Sequence, residues 1–84
     1  MSKVLEEVHK FITDQGVGLD SNVERNDEEV RVSIRDGADD EPSIAAQREA
    51  QRIVRAVKEK FKDVVKVQSE FIDEWVDVTI EEKK

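Results

Sequence analysis

The chain has 84 residues, 21 of them acidic and 14 basic, and a net charge of −7. That length holds one domain, because a chain this size buries only about 60% of its unfolded surface and has no apolar residues for a second core. The negative charge excludes a nucleic-acid backbone as the expected partner, since such binding relies on Lys and Arg releasing counterions. The absence of cysteine excludes disulfides, zinc–thiolate sites and thiol chemistry. Hydrophobic residues make up 37% and charged residues 42% of the chain, yet the apolar positions are strongly periodic, so a folded domain is expected. The opening "MSKVLEEVHK" carries charges where a signal peptide needs an apolar run, and no apolar stretch reaches membrane-spanning length. A cytoplasmic protein without membrane contact is therefore expected.

From Ser2 to Gln15, Val4, Leu5, Val8, Phe11 and Ile12 recur at three- and four-residue spacing, the signature of one helix face, and Gly16 supplies the stop. The period then changes to two. Val17, Leu19, Ser21 and Val23 alternate with small and polar residues, "RNDEE" turns the chain, and Val30, Val32 and Ile34 alternate with Arg31, Ser33 and Arg35. Two such runs about a polar turn predict an antiparallel hairpin with one buried face. After "RDGADDEPS", the residues Ala46, Ala50, Ile53, Val54, Val57 and Phe61 form a second helical stripe ending near Lys62. Val65, Val67, Ser69 and Phe71, the turn "IDE", and Val76, Val78 and Ile80 then repeat the hairpin pattern, and the terminal "EEKK" is expected to fray.

The order is thus αββαββ, and the halves match in spacing. Val4, Leu5 and Val8 correspond to Ile53, Val54 and Val57, and "VRVSIR" corresponds to "VDVTIE". An internal duplication is the expectation, with one αββ unit over about 2–35, a joint at 36–43 and a second unit over about 44–82, all within a single domain 1–84. Each unit has an apolar helix stripe and an apolar sheet face. The expected fold is an α+β two-layer sandwich, a four-stranded antiparallel sheet with two helices on one face. With the second strand of each unit at the centre, this is a permuted ferredoxin-like arrangement. Matching charges across the two central strands predicts Arg31 near Glu81, Ser33 near Thr79 and Arg35 near Asp77.

No catalytic motif is present, so candidate sites rest on surface chemistry. Trp75 falls on the uncovered sheet face if alternation holds, or over the core edge if the turn disturbs it. With Arg31, Arg35, Asp77 and Glu81 it forms a candidate partner-binding face, because exposed Trp and Arg are common interface anchors. The joint offers Asp36, Asp39, Asp40 and Glu41 around Gly37, oxygen ligands of the kind calcium or magnesium takes. The spacing departs from the EF-hand loop, and the same stretch suits a helix start, with Pro42 in its first turn, Glu41 or Ser43 as cap and acids complementing the dipole. The helix start is the preferred reading. His9 has no second ligand or nucleophile near it in the pattern, and Ser21 and Ser69 fit lax edge strands. Lys58 to Lys66 places positive charge at a helix C-terminus, where the dipole favours it.

The stretch from "VRVSI" through "QREAQRIVRAV" to "VDVTIEE" resembles the second half of the peptidoglycan-binding OmpA-like domain, but lacks that family's "GHTD" run. The element order is similar to BON domains, without their "TLSG" strand end. No residue is carried over from either. The expected function is a non-enzymatic protein-interaction module that binds a partner protein, or a second copy as a homodimer, through the uncovered sheet face. The alternatives are a calcium- or magnesium-binding protein using Asp36 to Glu41, and an acidic inhibitor that imitates nucleic acid; no other cofactor is expected.

Overall fold

The computed structural model describes residues 3–37 and 43–83. Helix α1 (Lys3–Gln15) leads into β1 (Asp20–Arg25) and β2 (Glu29–Arg35). Helix α2 (Ile44–Phe61) follows, then a 3-10 turn (Lys62–Val64), β3 (Val65–Ile72) and β4 (Trp75–Glu82). Among the described residues no helix is long and apolar enough to cross a membrane.

Each helix forms because its apolar residues fall on one stripe. Leu5, Val8 and Ile12 of α1 and Ala46, Ala50, Ile53 and Val57 of α2 are buried. Gly16 closes α1 at a φ of 79°, where its N–H donates to the Ile12 carbonyl at 3.0 Å. That left-handed conformation is open to glycine because it has no Cβ to clash. Ser43 caps α2, its hydroxyl accepting the Ala46 N–H at 3.0 Å. The helix thus starts at Ile44, two residues beyond Pro42, and its first turn carries no acid. Asp39, Asp40, Glu41 and Pro42 themselves lie outside the described residues.

The strands form one antiparallel sheet in the order β1-β2-β4-β3, so the second strand of each αββ unit takes the centre. Val30, Val32 and Ile34 of β2 and Val76, Val78 and Ile80 of β4 are buried with the two helix stripes in a single core. Full burial of a side chain of this size contributes about 1.5–3 kcal/mol. At one end of the layer, Phe11 and Phe61 close the gap between the helices edge to face, with ring centroids 5.7 Å apart.

The central register differs by two residues from the charge-matched expectation. Val30 pairs with Ile80, Val32 with Val78 and Ile34 with Val76, so Arg31 faces Thr79 and Ser33 faces Asp77. A shift of two keeps every side chain on its own face, so alternation alone allows both registers. The charge-matched one would set Val30 against Glu82 and Val76 against Asp36. A cross-strand charge pair is worth roughly 0.2–1 kcal/mol, less than the burial of an apolar pair, and apolar overlap wins.

Two strand ends also differ. β1 begins at Asp20 rather than Val17, because Leu19 has a φ of 66° and breaks the extended chain. The loop before it is clasped by α2. Glu49 accepts the Gly18 N–H, Arg52 donates to the Gly16 carbonyl at 3.0 Å, and Arg52 Nε meets Glu49 Oε1 at 2.7 Å. A Cβ on residue 18 would lie 3.0 Å from Glu49 Oε2, so the clasp uses the space glycine leaves. At the other end, β4 continues through Glu82, and the Lys83 N–H donates to the Val64 carbonyl at 2.9 Å. The first part of "EEKK" is therefore strand rather than frayed tail.

Candidate functional site

Residues between the buried positions of each strand point away from the helices, because side chains alternate across a strand. The registers set them in rows across the open face. Asp20, Arg35, Trp75 and Ile72 form the row beside the β3–β4 turn. Next come Asn22, Ser33, Asp77 and Glu70, then Glu24, Arg31, Thr79 and Gln68. At the far end Glu81 faces Glu29 on one side and Lys66 on the other. Strict alternation thus holds through Trp75, which sits half-buried on the open face.

Arg35 organises the first row. Its Nε lies 2.7 Å from Asp20 Oδ2, its Nη1 lies 3.1 Å from Glu74 Oε1, and its guanidinium carbon is 4.7 Å from the Trp75 ring centroid. β2 places the arginine, β1 and the turn supply its two carboxylates, and β4 supplies the ring. Chiefly the hydrogen bond to Asp20, and then the charges of Asp20 and Glu74, push its pKa above the ordinary arginine value against a desolvation that lowers it. A planar guanidinium stacks on an aromatic face while its edge holds carboxylates, which an ammonium cannot do.

Asp77 is 7% exposed, a degree of burial unusual for a carboxylate. It lines a shallow depression of about 190 Å³ with Asn22, Ser33, Ile72 and Trp75. Arg31 pairs with Glu29 on its own strand at 3.1 Å, not with Glu81, and Glu81 is exposed. Of the five residues expected to form the face, the structure brings Arg35, Trp75 and Asp77 together at one end. Arg31 and Glu81 lie toward the other. Asp20, Glu74 and Ile72 belong to the same cluster and escape a reading by charge. Setting the register by apolar overlap would have found them, since it puts Arg35 opposite Trp75.

An aromatic ring, an exposed isoleucine and a fixed cation stand beside strips of carboxylate. Arg31, Arg35 and Lys66 interrupt those carboxylates, so they form no continuous phosphate-like array. A wider trough of about 650 Å³ runs along the outer side of α2, where Arg48, Arg52 and Arg55 line it with Glu59 as an acid. Asp36 is exposed at the end of β2, and the other carboxylates of the joint lie outside the described residues. Among the described residues no group of three or more His, Asp or Glu side chains is placed to hold a metal ion. No protein-family model, curated protein or solved structure matches the chain.

Proposed function

We propose that the open sheet face binds a partner protein and that the chain works by binding rather than catalysis. The observation that carries this is the Arg35–Trp75 stack beside Ile72, an amphipathic anchor pinned by Asp20 and Glu74 on a face no helix covers. Interface energy concentrates in such anchors, while charges at the rim steer and orient. The partner that fits offers an apolar side chain to Trp75 and Ile72. It offers basic residues to Glu24, Glu29 and Glu81, with Asp77 and Arg31 between the two zones.

The test is site-specific photo-crosslinking in cells of the source organism, with the photoreactive residue at Thr79 on the face or at Arg55 on the outer side of α2. Adducts with another protein from Thr79 and none from Arg55 are expected. Adducts from Arg55 alone would overturn the assignment.

A further inference from the structure

We infer that two copies of this chain pair antiparallel along β3, in a register centred on Gln68. The contact uses a sheet edge and does not rest on what the open face binds. The two edges of the sheet differ. β1 has six residues, three of them charged, and Arg25 is tied to Glu6 of α1 at 3.7 Å. Short, charged edges resist pairing. β3 has eight residues and exposes Phe71 and Ile72 at 63% and 42%, with Val64 at 46% just before it. Among the described residues no strand pairs with its outer side.

The hydrogen-bond phase of this edge restricts what it can pair with. The Lys83 N–H bonds the Val64 carbonyl, so the backbone groups of Val64 point toward β4. In an antiparallel ladder the direction alternates, so Lys66, Gln68, Glu70 and Ile72 also point toward β4. Val65, Val67, Ser69 and Phe71 therefore point their N–H and C=O outward. Two such edges bond only where outward-pointing residues meet. Centred on Gln68, Val65 meets Phe71 of the second copy, Val67 meets Ser69, Lys66 meets Glu70 and Val64 meets Ile72. Each exposed apolar side chain gains an apolar neighbour, and each Lys66 gains a carboxylate.

The charges favour this register over its neighbours. Centred on Val67, Glu70 would meet Val64; centred on Ser69, Lys66 would meet Ile72. Within one chain Glu70 stands directly opposite Asp77, a like-charge pair that disfavours the sheet. Lys66 of the second copy brings a cation beside that pair. The two-fold axis lies perpendicular to the sheet, so all the helices share one side and the two open faces join.

Gln68 lies at the axis as a non-hydrogen-bonded pair, where Cα atoms stand about 4.5 Å apart, within the roughly 4.4–6.8 Å that a disulfide spans. The two copies of residue 66 stand about 13 Å apart along the strands, beyond that reach. In this cysteine-free chain Q68C should therefore form a covalent dimer in a mildly oxidising buffer at least about tenfold faster than K66C. Sedimentation equilibrium of the unaltered protein should show a mass rising with concentration toward twice 9.7 kDa. A mass of 9.7 kDa up to millimolar concentration would overturn the pairing. So would equal crosslinking of K66C and Q68C, or dimers that neither variant traps.

Discussion

Replacing Glu70 with lysine separates the stability of the chain from its association. Glu70 faces Asp77 across β3 and β4, and Asp77 is only 7% exposed, so solvent screens their repulsion poorly. Charges directly opposite on a sheet are worth roughly 0.2–1 kcal/mol, unfavourable when alike and favourable when opposite. Glu70→Lys reverses one such term and should stabilise a single chain by about 1 kcal/mol, or about 4–8 °C in Tm for a chain of this length. In the β3-paired dimer the same change sets the introduced ammonium of each copy against Lys66 of the other. Two contacts then reverse together, a loss of about 2 kcal/mol, or about thirtyfold in dissociation constant. Circular dichroism melts must be run well below the dimer dissociation constant, because dimerisation itself raises Tm by mass action. Sedimentation equilibrium supplies the second number. A variant that melts lower would refute the Glu70–Asp77 repulsion, and one that associates as tightly as the parent would falsify the paired register.

Other substitutions test other joints of the structure. Ser43→Ala removes the hydroxyl that caps α2 and should cost about 1 kcal/mol, read as a drop of about 4–8 °C in Tm. Glu49→Gln tests the clasp on the Gly16–Gly18 loop. The Arg52 hydrogen bond, and after it the Gly18 N–H, hold the Glu49 carboxyl below its usual pKa against an opposing desolvation. A depressed carboxylate stabilises fully above its unfolded pKa and loses that contribution as pH falls through the folded value. The variant should therefore be weaker than the parent at pH 7 by under about 1 kcal/mol, and the gap in urea melts should close below about pH 4. Arg35→Ala strips the guanidinium from Trp75 and should shift tryptophan emission to longer wavelength and raise quenching by iodide. An unchanged spectrum would show that the stack does not form in solution.

The helices and hairpins are legible because the apolar period switches cleanly between 3.6 and 2. Leu5, Val8 and Ile12 read as one helix face, and Val76, Val78 and Ile80 as one strand face, without further information. The central register is not legible from charge, because alternation permits shifts of two and cross-strand charge is too weak to choose among them. Apolar overlap between Val30–Ile34 and Val76–Ile80 chooses correctly. The start of β1 is hidden for a different reason. The loop from Gly16 to Gly18 is shaped by Glu49 and Arg52, more than thirty residues away in sequence, and no local pattern reports such a contact. Of the open face, Trp75, Arg35 and Asp77 are legible as outward positions. Their grouping with Asp20, Glu74 and Ile72 follows from register and turn geometry, which composition does not carry.

The open face is the centre of this account, and Trp75 is its anchor. The most direct measurement is the dissociation constant of the protein crosslinked at Thr79, determined by calorimetry against the parent chain, W75A and R55A. Truncating an interface anchor typically costs at least about 2 kcal/mol, so W75A should bind at least about thirtyfold more weakly. R55A, on the outer side of α2, should match the parent. Equal affinities for the parent and W75A would contradict the assignment of the sheet face as the binding surface.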